Sequence, residues 1–211
     1  MASATATPNS AGVTEIYIGG AGDTRTRLVA TYADMRRLRF AHDRHRDAHY
    51  FPHYASRRIL HLARRSAESG HRLVIVGHSW GGDTALRVLK ALRPQSVDLL
   101  VCVDPVPKSR LNPPPAPRNA RRILHVDARP SHPNRSDRVK DLGQWFGGTL
   151  HRRLSSAHAR IVADLNHFAF AQMMHAPGED GLSAADLIDR IGRPIRARGA
   201  SSSLPGSGPA G

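Results

Sequence analysis

The stretch from Leu73 to Leu92 constrains this chain more than any other. Four consecutive apolar residues, Leu73-Val74-Ile75-Val76, run straight into Gly77-His78-Ser79-Trp80-Gly81-Gly82, and then into a helical pattern from Asp83 to Leu92. An unbroken apolar run of this kind reads as a strand covered on both faces. Ala85, Leu86, Val88, Leu89 and Leu92 fall on one helical face. So short a connection puts Ser79 on a sharp bend, and glycines at 77 and 81 leave room for the strand and helix backbones to approach each other. The helix that follows aims its free N–H groups and positive end at any oxyanion formed beside Ser79.

Around that unit, apolar segments alternate with helical ones. Glu15 to Ile18 reads as a buried strand ending in the turn Gly19-Gly20-Ala21-Gly22-Asp23, Thr26 to Met35 as a short helix, and Leu38 to Ala41 as a further strand. From Ala55 to Ser69, Ile59, Leu60, Leu62 and Ala63 form one apolar stripe, and Gly70 stops the helix. Leu99 to Val103 is another buried strand, and Asn112 to Pro117 is a Pro-rich loop. Arg122 to Val126 and Arg160 to Ala163 read as strands; Arg138 to Phe146, Ala169 to Met174 and Ala184 to Ile191 read as helices. Strand and helix in alternation imply an α/β fold, a single three-layer α/β/α domain with a mostly parallel central sheet over residues 13–196. Residues 1–12 and 197–211 are rich in Ala, Ser, Gly and Pro and are expected to be disordered tails.

The composition narrows the partners. With one cysteine, Cys102, neither an internal disulfide nor a cysteine metal cage can form, and its place in an apolar run reads as a buried small hydrophobe. No apolar stretch approaches the ~20 residues of a membrane span, and no leader pattern opens the chain, so a cytoplasmic location is expected. The formal net charge is +14. Only Lys90, Lys108 and Lys140 are lysines; the arginines are scattered along the chain with few aromatics between them, which argues against nucleic acid as the main partner and leaves an acidic one open. His42, His45, His49 and His53 read as a surface patch, because Pro52 interrupts any helix through them and no glutamate stands among them as a metal-site base.

Gly-x-Ser-x-Gly set between a buried strand and a helix resembles the nucleophile turn of the α/β-hydrolase superfamily, and the resemblance extends over roughly residues 14 to 175. It implies a serine esterase- or lipase-like enzyme of small α/β-hydrolase fold, with catalytic residues in the order serine, acid, histidine. Ser79 is then the nucleophile. His167 follows the last strand in Asp164-Leu165-Asn166-His167-Phe168 and is the base; His125, His132, His151, His158 and His175 lie in strand, helix or polar-loop candidates and rank below it. Two residues compete for the acid: Asp104, in an Asp-Pro turn after Leu99–Val103, which is favoured, and Asp127, at the end of the next strand.

The oxyanion hole takes one N–H from Trp80 and one from Gly20 or Ala21. The Gly19–Gly22 loop lacks the Lys-Ser/Thr ending of a phosphate cradle. The implied chemistry needs no metal and no cofactor, and its substrate is a small-molecule carboxylic ester or thioester. Between Asp104 and His167 the chain must already hold a strand and a helix, which leaves little or no lid; Trp80 and Trp145-Phe146 are candidate apolar walls. A second reading keeps the fold without the chemistry, as a binding module for an anionic partner.

Overall fold

The computed structural model describes residues 12–150, 154–155 and 157–191. The expected tails, apart from Gly12, lie outside them, as does His151. Six strands form one sheet: β1 (Val13–Gly19), β2 (Arg46–Pro52), β3 (Arg72–His78), β4 (Val97–Val103), β5 (Ala120–Ala128) and β6 (Ala159–Ala163), in the spatial order β2-β1-β3-β4-β5-β6. All five pairings are parallel.

Seven helices accompany the strands among the described residues: α1 (Asp23–Thr26), α2 (Leu28–Arg39), α3 (Ser56–Glu68), α4 (Trp80–Leu92), α5 (Arg135–Gly147), α6 (Phe170–His175) and α7 (Ala184–Arg190). The strand period of two sorts the core. Leu73 and Ile75 face Ile59, Ala63, Leu86 and Leu89 of α3 and α4. Val74 and Val76 face Val29 and Tyr32 of α2, Phe170 and Met173 of α6, and Ile188 of α7. Both faces are thereby covered, which is why β3 and β4 carry no polar alternation. Among the described residues the chain is a three-layer α/β/α domain with a wholly parallel sheet, and what lies between β4 and β6 is β5, α5 and their loops, with no separate lid.

The first third departs from the expected pattern. Leu38–Ala41 is not a strand: α2 runs on to Arg39, Leu38 is exposed, and Phe40 and Ala41 form the turn that ends it. The strand is β2, inside the histidine-rich stretch. As an edge strand paired only with β1, it buries only Ala48, so it lacks the apolar run that marks an inner strand. The helix expected from Thr26 is split, because Arg27 adopts a left-handed backbone (φ 54°) between α1 and α2. Helix α5 starts three residues before the expected Arg138, at an Asn134/Asp137 capping box.

Candidate active site

The strand order reverses direction between β1 and β3, and in open parallel sheets the crevice at the carboxyl ends of such a pair is where ligands bind. The register places the relevant loops there. Ile18 pairs with Gly77, so the Gly19–Gly22 loop leaves β1 beside the turn after β3; His78 pairs with Val103, so Ser79 and Asp104 leave adjacent strands side by side.

Ser79 has φ 53° and ψ −125°, a conformation costly for any residue with a Cβ. Its surroundings hold it there. Its N–H donates to Val103 O at 3.1 Å, and its carbonyl accepts from Gly82 N at 2.9 Å and Val106 N at 3.1 Å. A Cβ on Gly77 would lie 2.5 Å from Gly81 O, so the crossing of strand and helix admits only glycine. The same crowding occurs on the facing loop: a Cβ on Gly20 would lie 2.7 Å from Ser79 Cβ, which places the Gly20 backbone directly against the serine.

His167 bridges the other two residues. Its Nδ1–H donates to Asp104 Oδ2 at 2.6 Å, and its Nε2 accepts from the Ser79 hydroxyl at 3.1 Å. All three side chains are buried, and Ser79, the most open, is 8% exposed. Asp104 is itself at φ 39°, with its N–H tied to Val126 O at 2.7 Å. Burial pushes its carboxyl up, but hydrogen bonding and charge from His167, the Lys140 ammonium and the Ala128 N–H outweigh it and hold Asp104 below the usual carboxylate range. Asp127 is not brought to His167: its carboxylate is taken by Arg129 at 3.0 Å and by Arg160.

His167 is held by residues that lie outside the motifs of the sequence. Asp137, in the first turn of α5, accepts from the His167 backbone N–H at 2.9 Å and from Asn166 Nδ2 at 2.7 Å. Burial raises its carboxyl; the backbone N–H groups of Asn134 and His167 and the Asn166 amide reverse that and hold it low. His78 Nε2–H donates to His167 O at 2.9 Å, and the two rings stack with centroids 4.8 Å apart. Burial, together with the neighbouring His167, pushes His78 down to about 3, so it is neutral at ordinary pH. The Asn134-x-x-Asp137 spacing is a visible helix-start signal, but its reach across to His167 has no trace in a linear pattern.

A cavity of about 370 Å³ opens at Ser79. Leu28, Val106, Val139, Leu142, Phe146 and Phe168 give it an apolar wall, and Gly20, Ala21 and Trp80 border it. Trp145, paired with Phe146 in the sequence, is 65% exposed and stacks edge-on against the Phe146 ring. The remaining histidines lie elsewhere. His125 is buried in β5; His158 Nδ1 accepts from Ile123 N; the His132 carbonyl accepts from Asn166; and His175 stands by Tyr32. In the histidine-rich stretch, His42 and His45 are exposed, His49 pairs with Asp47, and His53 packs its ring against Trp80. Cys102 is buried in β4, and burial pushes its thiol up to about 12, which leaves it inert.

The family model of the PGAP1-like alpha/beta domain matches residues 41–116, a span that contains Ser79 and Asp104 and ends before His167. No curated protein matches the chain. It is similar to a solved structure described as a hydrolase of the alpha/beta superfamily from Xanthomonas campestris pv. campestris, with 20% identity over 78% of this chain and 93% of that one, at a TM-score of 0.48. A second, described as a yden-like hydrolase from Pectobacterium atrosepticum, is 15% identical over 87% and 94% of the two chains, at 0.48. A third, an a/b serine hydrolase without lid from Xanthomonas campestris, is 18% identical over 88% and 82%, at 0.44.

Proposed function

We propose that this chain is a serine hydrolase of the α/β-hydrolase superfamily, which cleaves a small-molecule carboxylic ester or thioester through an acyl-enzyme on Ser79. The observation that carries the reading is His167 standing between the Ser79 hydroxyl and the Asp104 carboxylate, each within hydrogen-bond distance of one ring nitrogen.

The chemistry follows from those contacts. Ser79 Oγ attacks the substrate carbonyl while its proton passes to His167 Nε2, and Asp104 steadies the imidazolium through Nδ1–H. The tetrahedral oxygen carries the displaced electron pair, facing the Trp80 N–H at the start of α4 and an N–H of the Gly20-Ala21 loop. Collapse breaks the ester C–O or thioester C–S bond, and the alcohol or thiol leaves with the proton from Nε2. A water then repeats the attack on the acyl-enzyme, giving up its proton to His167, and frees the acid and Ser79.

The apolar lining of the cavity fits the acyl portion of such a substrate. Among the described residues, no helix is long and apolar enough to cross a membrane. A cytoplasmic setting is part of the proposal, supported by the single buried cysteine. Nucleic acid is not proposed as a partner.

Labelling with a fluorophosphonate probe tests the reading. The wild-type chain is expected to label at Ser79, with labelling abolished in Ser79→Ala and lowered by about 10⁴-fold or more in His167→Ala. A folded wild-type protein that does not label, yet binds anionic partners in a salt-dependent way, would instead favour the binding module.

A further inference from the structure

The acid has two oxygens, and only one is turned to His167. Asp104 Oδ1 accepts from Lys140 Nζ at 3.1 Å and from the Ala128 N–H at 3.2 Å, and Lys140 Nζ also donates to Ala128 O at 2.8 Å. The Lys140 side chain is 11% exposed, at the edge of the cavity, so this ion pair is only weakly screened by salt.

Lys140 stands one turn beyond Asp137 on α5. A single helix therefore grips both partners of the base–acid pair: Asp137 holds the His167 main chain, and Lys140 holds the Asp104 carboxylate. The same helix supplies Val139, Leu142 and Phe146 to the cavity wall. Its residues Gly143 and Gly147 lie against Val106 and Pro107, in the loop just past Asp104, where a side chain would collide. The residue type fits the task. The chain holds 31 Lys and Arg, of which only Lys90, Lys108 and Lys140 are lysine. The Lys140 ammonium meets Asp104 Oδ1 and the Ala128 carbonyl together.

We propose that Lys140 is a positioning residue of the hydrolase reaction, which fixes the Asp104 carboxylate by its outer oxygen and shares its negative charge with His167. The inference rests on the hydrolase reading above. Held by Oδ1, the carboxylate presents Oδ2 to Nδ1 in one orientation. The ammonium also keeps Asp104 ionised, and it draws on the same negative charge that the imidazolium uses during the reaction. The other charged or titratable groups around the pair are His78 from β3, Asp137 from α5, and His125 and Asp127 from β5, the last neutralised by Arg129 and Arg160. Lys140 is the one cation that contacts Asp104 besides His167 among the described residues.

The test is the rate of fluorophosphonate labelling as a function of pH in wild type, Lys140→Met, Lys140→Gln and Lys140→Arg. Without the ammonium, protonation of the base–acid pair takes hold sooner as pH falls. The acid limb is therefore expected to move up by about 1 pH unit in Lys140→Met and Lys140→Gln, with the plateau rate down about tenfold, while Lys140→Arg keeps the limb near its wild-type position. Lys140→Gln retains a hydrogen-bond donor and serves where the methionine variant does not fold. A labelled wild type with an unmoved limb in both neutral variants overturns the proposal and leaves the hydrolase reading standing; so does a limb that moves equally in Lys140→Arg. Wild-type protein that labels at no pH overturns both.

Discussion

Glu15 in β1 and Asp104 just past β4 are both buried carboxylates met by cations, yet only one of them meets a histidine that also reaches a serine hydroxyl. Glu15 accepts from Arg36 Nε at 3.0 Å and Nη2 at 2.9 Å, from Arg46 Nε at 2.6 Å and from the Tyr17 hydroxyl at 2.6 Å. Arg36 continues to Asp189 of α7 at 2.7 Å, and Arg46 Nη2 donates to Ile188 O at 2.7 Å. No member of that cluster can pass on a proton: guanidinium does not deprotonate in proteins, and burial together with Glu15 pushes the Tyr17 hydroxyl well above its ordinary value. The cluster ties α2, β2 and α7 to β1. At Asp104 the partner is an imidazole, whose second nitrogen meets a hydroxyl on the rim of a cavity. Burial and charge pairing are common to both carboxylates; a titratable partner whose second nitrogen reaches the cavity belongs to Asp104 alone of the two.

Exchanging the carboxylates for amides separates the two networks. Asp104→Asn is expected to lower kcat/KM for a model ester by about 10³–10⁴-fold while the protein stays folded, because an amide no longer holds the imidazole in its working tautomer. Asp127→Asn, whose carboxylate faces Arg129 and Arg160, is expected to change it by less than about threefold. Steady-state kinetics decide, and equal losses in the two variants would mean that Asp104 has no role that Asp127 lacks.

In the other network the loss falls on stability and not on activity. Glu15→Gln leaves two buried guanidinium groups short of charge and is expected to cost about 3–5 kcal/mol of stability by urea unfolding, with kcat of the folded fraction near wild type. A loss under about 1 kcal/mol would show that the cluster is not what holds α7 and β2 to the sheet.

The last effect, spread over several pH units, concerns His78. Its folded value of about 3, set by burial and by His167, lies below an unfolded value near 6.5, so between those limits the unfolded chain binds the extra proton. Stability is expected to fall as pH drops from about 6.5 toward 3, by up to about 1.4 kcal/mol per pH unit from this group, and His78→Asn should flatten that slope. Thermal melts across the range measure it; an unchanged slope would mean that His78 is already charged in the fold.

How much of this was legible depends on how local the signal is. The unit Leu73–Leu92 carries everything in twenty consecutive residues: the apolar run, the glycines, the serine and the helical face, each set by sterics between neighbours. His167 is reachable from chain order, since it follows the last strand. β2 is not, because an edge strand with one buried side chain leaves a polar sequence in which no period shows.

The amino-acid sequence by itself determined the alternation of strands and helices, the buried inner strands and the position of Ser79 on its turn, because backbone sterics and burial act over a few residues. Tertiary structure alone decided which acid meets the histidine. Asp104 and Asp127 lie at the ends of adjacent strands, and only the parallel register of β4, β5 and β6 gives one of them to an imidazole 63 residues away and the other to Arg160. The same holds for the grip of α5: Asp137 and Lys140 reach His167 and Asp104 across 30 and 36 residues of chain, contacts made by packing.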